Sequence, residues 1–242
     1  LGTSGVLFVS NAGFSPNPEQ GVHAFCHCLP GRWHQMSVIL SAASAVSFVT
    51  RLTGAADEAS LLAEAEADRR EPGALVFLPY LSGERTPHND PDAKGVFFGM
   101  THETDRAALA RAVLEGVAFA FADGQDALER AGTRVGTLQV IGGGARSAYW
   151  GRILASTLGR RLVYPVGADV GPAFGAARLA RLAATGEPPE AVCTPLPADR
   201  AIEPDADLAD GLAVRRRIFR ELYPALRGTF RAAGGGKGAG RA

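Results

Sequence analysis

The sequence lacks a surplus of either charge: lysine plus arginine and aspartate plus glutamate both number 25 among 242 residues. Without a basic excess, nothing in the composition draws the chain to nucleic acid or to an anionic membrane. No apolar run approaches the roughly 18 residues of a bilayer span. The opening stretch LGTSGVLFVS has no basic n-region, so it does not read as a secretory signal. It also lacks a methionine and reads as mid-strand, which gives the expectation that the chain is cut from something longer. Cysteine is scarce and odd in number, three in all, which excludes a disulfide framework and makes a reducing cytoplasm the expected compartment. Cys26-His27-Cys28, with His23 nearby, invites a metal reading. On a strand, however, Cys26 and Cys28 face one way and His23 and His27 the other, so no four-ligand site closes. The cysteines are expected to pack as small hydrophobes.

What is present suits a layered globular domain: 46% hydrophobic residues and 21% charged. Residues 3–10 read as a strand. VHAFCHCL and WHQMSVI flank Pro30-Gly31 as a hairpin. From about Ser37 the pattern turns helical, closing at Gly54, and DEASLLAEAEADRR forms a second, amphipathic helix. ALVFLPYL reads as buried and extended, LSGERTPHNDPDAKG as a long polar loop, and GVFFG as a short strand. Thr104 is expected to cap a helix from Asp105 to Arg130. Between Ala107 and Ala122 its only charges are Arg111 and Glu115, four apart on one face. So apolar a helix is expected to be buried. The alternation of strand and helix from Gly136 to Gly186 predicts an α/β architecture. A terminal helix, or a pair broken by Pro224, follows, with residues 1–230 as one domain and 231–242 as a flexible glycine-rich tail. Arg215-Arg216-Arg217 is expected on a solvated helix face.

Glycine turns carry the candidate chemistry. Gly142, Gly143, Gly144, Ala145, Arg146 and Ser147 stand between a strand and a helix. Bare backbone admits a ligand, the helix start offers N–H groups and partial positive charge, Ser147 can cap, and Arg146 can reach a phosphate. A tight turn that packs helix on sheet accounts for the same residues. The dinucleotide pattern G-x-G-x-x-G fails, because Ser147 stands where glycine is needed. A second turn, Gly2, Thr3 and Ser4, offers hydroxyls to phosphate oxygens. The tail GGGKG fails as a P-loop, since Gly238 follows Lys237. Asp169 is expected to cap the helix after it, and Gly175 to let that helix pack closely. The loop holding Glu84, Arg85, His88 and Asp90 is expected to be tied by its own hydrogen bonds.

Taken in order, LGTSG, HxFCHxLPxRWHxMSVxLSAAS, FLPYLSGERTPHNDPxAKGVFFGxTH, RAVLEGVAFAxADG, VIGGGARSxYW and DVGPAFGAARLA resemble the FGGY carbohydrate kinases, and within them the xylulokinase type. The resemblance runs from Leu1 to about Arg227. It implies the C-terminal half of a two-domain sugar kinase, an α/β, actin-like (ribonuclease H-like) domain that holds ATP. It further implies that Gly2-Thr3 meets phosphate and that Gly142–Ala145 lies on the adenosine side. The family's contacts after the hairpin fall near Ala42 and Val46, which are neither the Gly nor the Gln of the glycerol kinases, and its Asn falls near Ala148. The family's catalytic Asp lies ahead of the Gly-Thr-Ser turn, so no residue here is assigned as catalytic and none as a metal ligand. Implied cofactors are ATP and Mg²⁺. Implied partners are ATP and a ketose held mainly by an N-terminal domain, with a homodimer as a conceivable assembly. The alternatives are the same domain of a ribulose, gluconate or glycerol kinase, or a non-catalytic nucleotide-binding module.

Overall fold

A computed structural model describes residues 1–68, 73–168 and 171–234. Strand β1 (Gly5–Asn11) pairs antiparallel with β3 (Trp33–Ile39), which pairs antiparallel with β2 (His23–Cys26). Alternation decides the faces: Gly5 and Leu7, and Gln35, Ser37 and Ile39, point inward, while Val6, Phe8 and Phe25 face outward. The strand therefore continues through SVI, and helix α1 (Ala43–Thr53) begins six residues later than the helical pattern suggested. Cys26 and Cys28 are exposed rather than packed, because β2 is an edge strand whose last residue is Cys26.

Helix α2 (Glu58–Ala67) follows, capped by Asp57, whose carboxylate accepts from the Ser60 amide at 2.7 Å. Strands β4 (Val76–Leu78) and β5 (Val96–Phe98) form a two-stranded ribbon. Helix α3 (Arg106–Arg130) is the central post, almost wholly buried from Ala110 to Leu128. Its cap is Asp105, which accepts from the Ala108 amide at 3.0 Å; Thr104 instead takes the amide of Thr101. Arg111 and Glu115 pair along it at 3.1 Å.

The second half alternates as expected: β6 (Leu138–Gln139), α4 (Ala148–Leu158), β7 (Leu162–Pro165), α5 (Pro172–Thr185), the short α6 (Pro189–Val192), β8 (Ala198–Ile202) and α7 (Ala206–Gly234). β6 and β7 are parallel; β8 closes the sheet antiparallel to β7. Trp150 on α4 donates its indole N–H to the Leu114 carbonyl at 3.2 Å, locking α4 to the post.

Helix α7 continues unbroken through Pro224 and past position 231, so the expected tail boundary falls inside it. Residues 235–242 lie outside the described residues. Leu212, Arg215, Phe219 and Leu222 recur at helical spacing on its inner face. That period carries Arg215 inward, where Nε and Nη2 grip the Glu115 carboxylate at 2.6 and 2.8 Å. Arg216 reaches Asp123 and Asp126. Of the three arginines only Arg217 lies on the solvated face.

The polar loop after β4 is tied by its own bonds. Glu84 and Asp90 exchange backbone hydrogen bonds at 2.9 and 2.8 Å, and Tyr223 donates to the Asp90 carboxylate at 2.8 Å. His88 stacks on Tyr223, with ring centroids 3.6 Å apart, and burial pulls its pKa down to about 4. Glu84 is buried. Its Oε1 accepts from the Leu40 and Arg85 amides, while Oε2 has no partner among the described residues. Burial pushes its pKa up to about 8.

The raised pKa of Glu84 has a definite sign in stability. The folded chain holds a proton that the unfolded chain releases near its ordinary 4.5, so this contribution is full below about 4.5 and is lost as pH rises through 8. Relative to Glu84→Gln, the native chain should lose up to about 1.4 kcal/mol per pH unit inside that window. Urea unfolding of both proteins across pH 4 to 9 measures this; parallel profiles would contradict it.

Candidate nucleotide site

Three pieces of chain that carried the sequence expectations meet at one place. The Leu1 amino group donates to the Ile141 carbonyl at 2.8 Å, and the Gly144 amide donates back to the Leu1 carbonyl at 3.0 Å. The Gly2 and Thr3 carbonyls accept the amides of Ala43 and Ala42, both at 2.9 Å, and the Ser44 hydroxyl also donates to Thr3 at 2.8 Å. The opening turn thus caps α1 with backbone carbonyls in place of a side chain, and sets the glycine turn beside it. Those α1 amides are used within the chain and are not offered to an anion.

The glycine turn itself is a single 3-10 turn, Gly143–Arg146, running into α4. Ser147 caps α4, its hydroxyl accepting from the Trp150 amide at 3.1 Å. Ala145 is buried beneath the turn, and its carbonyl accepts from the Arg200 guanidinium. The three glycines have different reasons to be glycine. Gly142 holds φ +93°, and a Cβ there would lie 2.8 Å from the Leu1 carbonyl. A Cβ on Gly144 would lie 2.5 Å from Leu1 Cγ and 3.0 Å from the Trp150 ring. Both are explained by packing. Gly143 is not: it has no positive φ, and nothing lies within 4 Å of where its Cβ would stand. Its side of the turn opens into a cleft.

That cleft, about 610 Å³, lies between α1, α2, the turn and α4. This is within the range of small-molecule sites. Ala43, Val46, Leu62, Ala148 and Trp150 give it apolar walls. Gly143, Gly144, Arg146 and Ser147 form one end. Gly2, Thr3, Ser4, Gly142 and Ala145 do not line the cleft; the Gly2 and Thr3 carbonyls are spent on the start of α1, and the Thr3 and Ser4 side chains are exposed. Ala42 is fully buried under α1, while the neighbouring Ala43 lines the cleft. Asp169 lies outside the described residues.

Sequence reading missed the acidic part of the lining: Asp57 and Glu58 at the start of α2 and Glu66 near its end. The Ser47 hydroxyl donates to Glu58 at 2.7 Å, and that bond holds the Glu58 carboxyl below its ordinary range. Glu66 pairs with Arg152 at 3.6 Å. The available signal was Ser47 on one helix and Glu58 at the start of the next, joined by a short link. Phosphate is favoured near Arg146 and the glycine turn, whereas hydroxyl and amine donors are favoured near the carboxylates.

The model of the FGGY family of carbohydrate kinases, C-terminal domain, matches residues 1–184. The chain belongs to that family and has its α/β, actin-like fold. Over 227 residues it is 51% identical to the xylulose kinase of Escherichia coli K12, covering 93% of this chain and 47% of the relative. It is 49% identical to the xylulose kinase of Klebsiella pneumoniae, covering 94% and 47%. A crystal structure of a "xyloylose kinase" from Brucella ovis superposes with TM-score 0.89 at 50% identity, covering 95% of this chain and 47% of that one. The chain spans about half the length of the curated relatives it matches.

The glycines separate by experiment. Gly143→Val should leave thermal stability unchanged and weaken ATP binding at least tenfold, whereas Gly144→Val should destabilise the fold by a few kcal/mol through overpacking against Leu1 and Trp150. Calorimetric melting and ATP titration of both variants check this. A Gly143→Val protein that binds ATP normally would make the turn purely structural.

Proposed function

We propose that this chain, over residues 1–230, is the ATP-binding lobe of a kinase that converts D-xylulose and ATP to D-xylulose 5-phosphate and ADP. The observation that carries the reading is the unexplained room at Gly143, facing a cleft lined by apolar side chains, Arg146 and three carboxylates. The apolar walls suit a base, the carboxylates suit ribose hydroxyls and amines, and Arg146 suits the phosphates. The identity to relatives named xylulose kinase supports the choice of sugar.

In this reading the chain binds and orients. The backbone at Gly143 lets the polyphosphate approach, Arg146 offsets its charge, and Thr3 and Ser4, both exposed beside the turn, present hydroxyls toward the γ-phosphoryl group. The proton of the sugar's terminal hydroxyl passes to a carboxylate on the other lobe. Closing the two lobes excludes water as a rival acceptor. The family resemblance also implies Mg²⁺. Among the described residues no group of three His, Cys, Asp or Glu side chains is placed to hold a metal, so the donor set does not fit a protein-held ion and no step is assigned to it. The proposal extends to a cytoplasmic kinase that works on free ATP and a free ketose as a homodimer. No helix among the described residues is long and apolar enough to cross a membrane.

A glycerol kinase from Dechloromonas aromatica is 41% identical over 155 residues, which makes the sugar the point to test. Alone, the chain should bind ATP and phosphorylate nothing; affinity at about millimolar level or none would favour the non-catalytic module. Joined behind the N-terminal half of the Escherichia coli relative, which brings the sugar site, it should restore ATP-dependent phosphorylation of D-xylulose, and the full-length protein that carries this chain should prefer D-xylulose to ribulose, gluconate and glycerol. Turnover by the chain alone, or preference for glycerol in that full-length protein, would overturn the reading.

A further inference from the structure

The end of β3 is held by a loop where a neighbouring strand would otherwise lie. β2 pairs with β3 only from Trp33 to Met36. Further along, Val38 and Leu40 meet the polar loop after β4. The Thr86 amide donates to the Val38 carbonyl and the Val38 amide to the Thr86 hydroxyl, both at 3.0 Å. That hydroxyl donates onward to the Gly21 carbonyl at 3.0 Å. The Leu40 amide goes to Glu84, whose Oε1 takes it at 2.9 Å and the Arg85 amide at 2.8 Å. Two residues beyond Leu40 the chain meets the opening peptide. The Thr3 carbonyl is held there by three donors: the Ala42 amide at 2.9 Å, the Ser44 amide at 3.3 Å and the Ser44 hydroxyl at 2.8 Å. Glu84 thus fixes one end of a short turn, Leu40 to Ala42, and Thr3 is fastened to the other.

Two backbone amides ask only for an acceptor, which a glutamine would supply equally; the residue here is an acid. Glu84 is 2% exposed, and its Oε2 has no partner among the described residues. The titratable groups around it are Tyr80 after β4, Asp123 on α3, Tyr223 on α7, and Arg85, His88 and Asp90 of its own loop. Asp123 is paired with Arg216 and Arg220, His88 is bonded to Tyr80 and Asp90 to Tyr223, and Arg85 is exposed. Residues 37–45, which run past the carboxyl, contain no titratable side chain. Among the described residues, then, no cation answers an ionised Glu84. As the neutral acid it presents one carbonyl oxygen to the two amides. Ionised, it would be a buried charge relieved only by admitting water or by swinging outward, and either change loosens its hold on Leu40. We propose that Glu84 is a positioning residue for phosphoryl transfer: through the Leu40–Ala42 turn its carboxyl sets the Thr3 peptide, and with it the Thr3 hydroxyl, against the γ-phosphoryl group. Thr3 is exposed, and a reacting geometry misplaced by about 1 Å costs about a hundredfold in rate. The proposal rests on the reading of the chain as the ATP-binding lobe of a kinase.

Steady-state kinetics of the full-length protein that carries this chain, with D-xylulose and ATP and well below the melting temperature of every variant, test it. Glu84→Gln keeps the acceptor and cannot ionise, so dividing native kcat by its kcat removes the ionisations common to both. That ratio should fall about tenfold from pH 7 to pH 9, as the Glu84 proton leaves through a pKa of about 8. At pH 7, Glu84→Ala should lose about tenfold or more in kcat, with KM for ATP changed less than about threefold. The kcat losses of Thr3→Ala and Glu84→Ala should combine to less than their product, since both act through one hydroxyl. A Glu84 that only stabilised the fold would lower the melting temperature and leave these kinetic ratios unmoved. Parallel pH profiles for native and Glu84→Gln would overturn the proposal, as would losses in Thr3→Ala and Glu84→Ala that multiply, or a rise in KM for ATP with kcat unchanged. If Glu84→Ala does not fold, the ratio of native to Glu84→Gln across pH decides alone. A native protein that phosphorylates no sugar would sink the kinase reading and the proposal with it, whereas native turnover with parallel profiles would overturn the proposal and leave the kinase reading standing.

Discussion

The first three residues hold the candidate site together by their backbone alone. The Leu1 carbonyl takes the Gly144 amide, and the Gly2 and Thr3 carbonyls take the first amides of α1. One short peptide thereby fixes the distance between a helix start and a glycine turn from distant parts of the chain. Backbone bonds of this kind require glycine where a side chain would intrude, which accounts for Gly142 and Gly144 without any ligand. Only after those two are accounted for does Gly143 stand out. A residue that neither φ nor packing obliges to be glycine, placed at the mouth of a cleft, is the strongest local sign that something outside the chain comes close.

Behind this knot the domain is held rigid by α3. Its burial would be ordinary for an apolar helix, except for Glu115, whose charge is answered from two sides by Arg111 and Arg215. Removing Glu115 would strand the buried Arg215 charge, so α7 is held in one register against α3. Asp123 and Asp126 repeat the arrangement two and three turns further with Arg216 and Arg220. Trp150 then fastens α4, and with it the glycine turn, to the same post. The site is placed by helices that cannot shift independently, as positioning chemistry demands.

Much of this was readable from residue order. The hairpin about Pro30-Gly31, the buried helix with its Arg111–Glu115 pair, Ser147 as a cap and the strand–helix alternation after Gly136 follow from period, turn chemistry and capping. What was misread has physical causes. SVI is as compatible with a strand as with a helix when its neighbours are small, and only pairing with β1 decides it. Arg215 looked solvated because three arginines in a row suggest water, yet the 3.6-residue period of Leu212, Phe219 and Leu222 already put it inside. Cys26 and Cys28 are exposed because an edge strand leaves no second layer over them. The acidic part of the cleft lining could not be foreseen, since it arises from two helices meeting and not from any motif.

The central claim is that a nucleotide enters at Gly143 with its phosphates toward Arg146 and its nucleoside toward Glu58. Titrating ¹⁵N-labelled chain with ATP and following amide resonances tests it most directly. The claim predicts the largest shifts at Gly143, Arg146 and Ser147, with smaller ones along Val46, Glu58 and Leu62, and none on the outer sheet face at Phe8 and Phe25. Largest shifts away from the glycine turn, with Gly143 unmoved at saturating ATP, would contradict it.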